Sequence, residues 1–145
     1  MAGELILLVD DDKALGRLYS DMLFAKGYQV RLAENVETAL ENLAQATPAL
    51  IVLDIMMPEI DGIEGCRRIR DAHSGDIPIL FVTALDDIDI AISCFDAGGS
   101  DYITKQSALD DVLERIELWL STEGAEERVE LTPESRELLE ALGSL

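Results

Sequence analysis

Short apolar runs alternate with longer amphipathic stretches through most of the chain. The strand-like runs are Leu5–Val9, Gln29–Leu32, Leu50–Leu53, Ile79–Val82 and Tyr102–Ile103. Helical patterns fill the gaps, one ending at Gly27 and the others at about Val36–Ala44, Ile63–Arg70, Asp87–Ala97 and Leu109–Leu120. Because these intervals are too long for hairpins, the pattern predicts parallel strands joined by right-handed helical crossovers. The expected fold class is α/β, with a doubly wound parallel sheet.

Two of the helices carry specific expectations about which face is buried. The first begins after an aspartate cap at Asp11 or Asp12. Its predicted apolar face consists of Leu15, Leu18, Met22 and Leu23. In the fourth helix the predicted core residues are Ile88, Ile92 and Phe95, whereas Ile90 lies off that face and is expected to be exposed.

The chain changes character at about residue 121. Residues 1–120 form the expected folded domain, and residues 121–145 form an acidic tail. Within the tail, Thr132 and Pro133 resemble the cap and first position of a helix. One interpretation is a solvated linker. The other is a short amphipathic helix, using Leu138, Leu139 and Leu142, that docks on a partner or leads into an output domain absent from this chain.

Composition narrows the function classes. The 145 residues, 48% of them hydrophobic, suit one domain with one core. The net charge of −19 argues against direct nucleic-acid contact and favours metal cations or basic partners. Cys66 and Cys94 lack metal-site spacing and are expected to be reduced core residues. With no apolar run of ~18 residues and no basic leader, we expect a cytoplasmic protein that does not enter a membrane.

Polar side chains follow several of the predicted strands, and in a parallel sheet these strand ends share one edge. They are Asp10 and Asp11 after the first strand, Asp54 after the third, Thr83 after the fourth and Lys105 after the fifth. The second strand ends at Ala33, which carries no polar side chain. That fits a sheet of order 2-1-3-4-5, in which the second strand is outermost.

Three converging carboxylates need a positive charge. At an effective dielectric of ~20, each pair at ~4 Å costs about 4 kcal/mol. Mg²⁺ suits such oxygen ligands, and the Lys105 ammonium would supply a second cation. Together with the Thr83 hydroxyl, these charges could surround a phosphoryl group while a carboxylate attacks phosphorus. Asp54 stands alone and is the expected nucleophile, whereas of Asp10 and Asp11 one would bind metal directly and the other through water.

The segments "LLVDDD", "LDIMMPEIDG", "VTAL" and "DYITK", in this order and spacing, resemble the receiver domain of two-component response regulators. The similarity covers about Glu4 to Leu120. It implies a flavodoxin-like (βα)5 fold and a switch that receives its phosphoryl group from a sensor histidine kinase or a phosphotransfer protein. The output would be a downstream protein or an absent output domain, contacted through the face formed by the fourth helix, fifth strand and fifth helix.

The resemblance also assigns roles to individual residues. Asp54 would be the phosphoacceptor, Thr83 and Lys105 would contact the phosphoryl group, and Thr83 and Tyr102 would form the switch. The implied Mg²⁺ ligands are Asp10, Asp11, Asp54 and the Met56 carbonyl. Pro58 and Gly62 would shape the loop behind Asp54.

Four positions qualify what the resemblance implies. Gln106 replaces the proline that usually follows the lysine, so we expect a trans peptide bond there and a loop that differs. Met56 and Leu85 are apolar at positions that can influence the attacking water, which predicts slow self-hydrolysis of the aspartyl phosphate. His73 lies in a polar loop and is expected to be solvated rather than a phosphodonor.

Two alternatives belong to other functional classes. A Mg²⁺-dependent phosphohydrolase would need a second carboxylate two residues after the nucleophile, where this chain has Met56. A phosphorylation-independent interaction module of the same fold draws support from Gln106, although the intact acidic set argues against it. Turnover of a small phosphate ester would identify the first, and failure of Asp54 to take up a phosphoryl group would favour the second.

Overall fold

The computed structural model describes residues 3–73, 75–105 and 109–121. The strands are β1 (Leu5–Val9), β2 (Gln29–Ala33), β3 (Leu50–Leu53), β4 (Ile79–Thr83) and β5 (Asp101–Thr104). The helices are α1 (Lys13–Ala25), α2 (Val36–Gln45), α3 (Gly62–Ala72), α4 (Ile88–Asp96) and α5 (Leu109–Leu120). Every strand and helix predicted up to Leu120 is present, with boundaries that differ by up to two residues.

The strands form one parallel sheet of order β2-β1-β3-β4-β5. The predicted doubly wound, flavodoxin-like (βα)5 fold is therefore confirmed. The central strand β3 is paired on both edges and packed on both faces, so Leu50–Leu53 are buried, which explains their unbroken apolar run. This order places the carboxyl ends of β1 and β3 side by side, at the point where the chain reverses its direction across the sheet.

Successive strand residues face opposite sides of the sheet and form two apolar clusters. Leu7 and Val9 belong to the cluster covered by α2, α3 and α4. Ile6 and Leu8 belong to the cluster covered by α1 and α5. The sheet is thus the middle layer of three, and both of its faces are buried.

Polar caps define where the helices begin. The Asp12 carboxylate accepts a hydrogen bond from the Leu15 N–H at 3.0 Å, so Asp12 rather than Asp11 caps α1. Asp61 caps α3 in the same way, through the Glu64 N–H at 2.9 Å. Each cap satisfies an N–H that has no partner within its own helix.

Two of the predicted helix faces were partly wrong. In α1 the fully buried residues are Gly16, Tyr19 and Leu23, whereas Leu18 is 46% exposed. Gly16 has no side chain to mark it as apolar, yet it is buried and lies against the Leu32 side chain of β2.

In α4 the buried residues are the small Ala91 and Cys94. Ile90 packs beside them against the core, while Ile88 is 41% exposed in the first turn. The prediction followed the large apolar side chains, but the close approach of α4 to the sheet is made by the small ones.

Several expectations lie outside the described residues. These are the peptide bond at Gln106 and the tail beyond Ser121, including the proposed helix at Thr132–Leu142. Among the residues that the structure describes, no helix is both long enough and apolar enough to cross a lipid bilayer.

Candidate functional site

The predicted polar residues meet at one edge of the sheet. Asp10 and Asp11 follow β1, Asp54 follows β3, Thr83 ends β4 and Lys105 follows β5. One oxygen from each of Asp10, Asp11 and Asp54 lies within 4.8 Å of the others. The sheet order thus brings together residues that are far apart in the sequence.

Asp54 is held firmly at this edge. Its N–H donates to the Val9 carbonyl at 3.0 Å, which fixes it against the end of β1. Its Oδ1 accepts from the Ile55 N–H at 2.8 Å, and the residue is 5% exposed. The second carboxylate oxygen, Oδ2, is the one that faces Lys105.

The loop behind Asp54 folds back on it through Gly62. The Gly62 N–H donates to the Ile55 carbonyl at 2.8 Å. A Cβ atom on Gly62 would lie 2.0 Å from the Asp54 carbonyl oxygen, so only glycine fits. The left-handed conformation in this loop belongs instead to Glu59, at φ 69°. Gly62 therefore contributes room for a close backbone approach rather than an unusual φ.

The two aspartates after β1 differ in their surroundings. The Asp10 side chain is 6% exposed, and its Oδ1 accepts from the Asp12 N–H at 2.9 Å. Asp11 is exposed at the rim. Of the two, Asp10 is the more constrained, and Asp11 can reorient toward a ligand.

Lys105 supplies the positive charge of the cluster. Its Nζ lies 3.0 Å from Asp10 Oδ2 and 3.2 Å from Asp54 Oδ2, and its side chain is 19% exposed. The Lys105 N–H donates to the Thr83 carbonyl at 2.7 Å, so the backbone is tied to the end of β4. One ammonium thus bridges two carboxylates that would otherwise repel each other.

Burial and charge act together on the ionisation of these groups. Burial raises the pKa of Asp54, and the neighbouring Asp10 charge raises it further, against the opposing effect of Lys105. For Lys105 burial lowers the pKa, but the bonds and charges of Asp10 and Asp54 outweigh it and leave the pKa above its usual value. The ion pair favours a charged lysine, while the ionised form of Asp54 is electrostatically costly.

Thr83 and Tyr102 lie beside this cluster. Thr83 is fully buried, and its Oγ1 accepts from the Leu85 N–H at 3.4 Å. Tyr102 is 5% exposed, and its hydroxyl donates to the Leu85 carbonyl. Both side chains therefore contact the same residue of the β4–α4 loop.

The donor set fits a hard divalent cation. Asp10, Asp11 and Asp54 offer carboxylate oxygens at a common point, and Mg²⁺ prefers oxygen ligands. Met56 lies two residues after Asp54, with a 57% exposed side chain, so its predicted role belongs to its backbone carbonyl. His73 lies at the C-terminal end of α3, where its Nδ1 accepts from the Gly75 N–H at 3.1 Å in a solvent-exposed hydrogen bond.

Comparison with known proteins identifies the family. The model of the response regulator receiver domain matches residues 6–117. The chain belongs to this family. Response regulator receiver domains act in phosphorylation-based signalling, as phosphoacceptors rather than as typical enzymes, and bind Mg²⁺ at an acidic pocket.

Among curated proteins, this receiver domain is similar to the response regulator MprA. The protein from Mycobacterium leprae (strain TN) is 43% identical over 111 residues, covering 77% of this chain and 48% of the relative. That from Mycobacterium bovis (strain BCG / Pasteur 1173P2) is 39% identical over 125 residues, covering 86% and 54%. The chain therefore spans about half the length of the curated relatives it matches.

Solved structures support the same fold. The BeF3-activated N-terminal receiver domain of Klebsiella pneumoniae RstA superposes with a TM-score of 0.75 at 34% identity, covering 82% of this chain and all (100%) of that one. A CheY-like receiver domain protein from Methanospirillum hungatei JF-1 gives a TM-score of 0.78 at 26% identity, covering 87% and 99%.

The receiver domain also contains a buried polar cluster that sequence reasoning missed. Asp101 begins β5 and is bonded to Arg115 and Trp119 of α5. Two signals were available: a carboxylate at the start of an otherwise apolar strand, and an arginine and a tryptophan four residues apart on one helix face. The motif "DYITK" includes Asp101 but does not indicate which side chains it contacts.

Proposed function

We propose that this domain is a phosphorylation-activated switch in which Asp54 accepts a phosphoryl group from a sensor histidine kinase or a phosphotransfer protein. One observation carries the proposal: three carboxylates share a point within 4.8 Å, and Lys105 reaches two of them. Three carboxylates at one place repel one another and destabilise the fold, which favours a role in binding a cation.

Mg²⁺ would be held by Asp10, Asp11, Asp54 and the Met56 carbonyl. When bound, it would neutralise the carboxylates and the incoming phosphoryl oxygens. Binding of such an ion to the folded state would also offset the repulsion within the cluster.

The transfer itself would use the residues already described. The Asp54 carboxylate would form the new bond to phosphorus as the bond to the donor's nitrogen breaks, and the bonding electron pair would leave with that nitrogen. Lys105, now on Asp54 Oδ2, would move with its charge to a phosphoryl oxygen. The Thr83 hydroxyl, at the end of the next strand, would donate to another phosphoryl oxygen.

The readout would follow from the position of Thr83. A Thr83 hydroxyl drawn toward the phosphoryl group would disturb its contact with the Leu85 N–H, and Leu85 also holds the Tyr102 hydroxyl. The affected surface would be the face formed by α4, β5 and α5. A downstream protein or an output domain would bind at this face. The acidic charge of the chain makes direct contact of this domain with nucleic acid unfavourable.

The test is phosphoryl uptake measured by intact mass. The chain would be incubated with acetyl phosphate in the presence of Mg²⁺, with a chelator, and as the Asp54→Asn variant. We expect a gain of one phosphoryl group only in the unaltered chain with Mg²⁺. No gain in any sample would favour the phosphorylation-independent interaction module. Sustained release of inorganic phosphate from a small phosphate ester would instead favour the phosphohydrolase.

A further inference from the structure

Another carboxylate, Asp101, is buried outside the phosphorylation cluster, four residues before Lys105. The residue is 1% exposed at the start of β5. Its Oδ1 accepts from the Tyr102 N–H at 2.8 Å, and Arg115 Nη1 lies 3.2 Å from Oδ1 and 3.1 Å from Oδ2. The Trp119 Nε1–H donates to Oδ2 at 2.8 Å. A buried carboxylate with charged and neutral donors on both oxygens has little freedom to move.

The cluster joins one strand to the last turns of one helix. Arg115 and Trp119 are four residues apart on α5 and so lie on one face of it. The Arg115 side chain is 11% exposed, and Asp101 compensates its charge in this largely buried position. Any shift of Asp101 must be followed by both α5 side chains, or charged hydrogen bonds in a buried site are lost.

Tyr102 connects this cluster to the phosphorylation site. Its backbone N–H is held by Asp101, while its hydroxyl is held by the Leu85 carbonyl. The Leu85 N–H in turn donates to Thr83 Oγ1. A continuous series of bonds therefore runs from Thr83, at the carboxyl end of β4, through Tyr102 to the C-terminal turns of α5.

We propose that Asp101 is a positioning residue that couples Tyr102 to the end of α5. This inference rests on the proposed function, since the signal that it transmits is the phosphoryl group at Asp54. When the contacts of Thr83 and Leu85 change, the position of Tyr102 changes. Asp101 then transmits this shift to Arg115 and Trp119. Both of these side chains lie near the C-terminal end of α5, which ends at Leu120.

A purely structural role for the cluster makes a different prediction. A rigid brace between β5 and α5 would stabilise the fold equally in both states of the switch and would not report on Asp54. A coupling element must have a differential interaction with the two states. The two roles are separated by asking whether Trp119 responds when Asp54 is modified.

The experiment uses Trp119, the one tryptophan in the sequence, as an intrinsic probe. Its emission would be recorded before and after addition of Mg²⁺ and beryllofluoride, and phosphoryl uptake from acetyl phosphate would be measured by mass on the same samples. The variants are Asp101→Asn, which keeps the shape but removes the charge, and Tyr102→Phe, which removes the hydroxyl but leaves the Asp101 cluster intact. The matched control is Asp71→Asn, on the exposed side of α3.

We expect a change in emission in the unaltered chain and in the Asp71 control. Asp101→Asn should gain the phosphoryl group but lose most of the emission response, and Tyr102→Phe should lose the response even if Asp101→Asn fails to fold. Mass gain with unchanged emission in the unaltered chain would overturn the coupling alone. So would a full response in Asp101→Asn or Tyr102→Phe. No mass gain in the unaltered chain would overturn the proposed function, and the coupling with it.

Discussion

Lys105 and Asp54 lie 51 positions apart in the sequence and form an ion pair in which Nζ is 3.2 Å from Oδ2. The same ammonium is 3.0 Å from Asp10 Oδ2. A single cation therefore compensates two carboxylates, and the third, Asp11, adds to the negative charge at the rim. The cluster therefore keeps an excess of negative charge, which favours the binding of a further cation.

Replacing Lys105 tests this compensation. We expect Lys105→Met to lower the free energy of unfolding by about 1–3 kcal/mol without Mg²⁺, because two buried carboxylates lose their partner. With Mg²⁺ the loss should be smaller. Urea unfolding followed by circular dichroism measures both values. Lys13→Met, at an ion pair whose lysine is 77% exposed, is the control and should change little. Equal losses of stability in the two variants would show that Lys105 does not compensate the two buried carboxylates.

Asp54→Asn should stabilise the protein at neutral pH in the absence of Mg²⁺. The folded pKa of Asp54 lies above its unfolded value because of burial and Asp10, so the folded state retains the proton to higher pH. The stability that Asp54 contributes is present below the unfolded pKa and is lost as pH rises through the folded pKa. Urea unfolding across this range should show a smaller decline for the variant. A variant less stable than the unaltered chain at pH 7 would contradict this.

Gly62 and Gly16 form a matched pair of glycines. We expect Gly62→Ala to destabilise the fold by about 2 kcal/mol or more and to slow phosphoryl uptake, because its Cβ would lie 2.0 Å from the Asp54 carbonyl oxygen. At Gly16 the nearest atom to a Cβ is Leu32 Cδ2 at 3.7 Å, so Gly16→Ala should be neutral or stabilise the helix by up to about 1 kcal/mol. Thermal unfolding of both variants measures the change in stability, and the mass assay measures phosphoryl uptake. A tolerated Gly62→Ala would mean that the loop does not pack as described.

The two cysteines should be unreactive in the folded protein. Burial raises the pKa of Cys66 to about 11 and that of Cys94 to about 12, so at about pH 8 almost no thiolate forms. Iodoacetamide should modify neither residue under native conditions and both in urea, as judged by intact mass. Rapid alkylation of the folded chain would show that α3 and α4 do not enclose these thiols.

The phosphorylated form should be long-lived. Met56 and the half-buried Leu85 offer no polar side-chain atom that could orient a water toward Asp54. We expect the aspartyl phosphate to persist for many minutes, and Met56→Gln to shorten its lifetime several-fold by supplying a donor and an acceptor. Mass spectra taken at intervals after removal of the phosphodonor measure the decay. A half-life of seconds in the unaltered chain would refute the prediction.

The sequence was sufficient to predict the sheet order and the convergence of the site residues. Both depend on long-period features: the alternation of strands with helices, and polar residues placed where apolar strands such as Leu50–Leu53 end. Predictions from these features do not depend on exact element boundaries, because the carboxyl ends of parallel strands share one edge of the sheet.

The finer packing was not predictable from apolar periodicity. Leu18 and Ile88 belong to regular apolar stripes, yet both are exposed, and the residues that the two helices bury include Gly16, Ala91 and Cys94. The bonds of Asp101 were missed for a related reason: a strand pattern shows that a carboxylate is buried but not which residue of a distant helix compensates its charge.

The most direct measurement is the location of the phosphoryl group. After phosphorylation with acetyl phosphate and Mg²⁺, borohydride reduction would convert the modified aspartate to homoserine, and tandem mass spectrometry of the peptides would identify its position. We expect homoserine at Asp54 and at neither Asp10 nor Asp11. Modification at either of those residues, with Asp54 intact, would show that the end of β3 does not carry the phosphoacceptor.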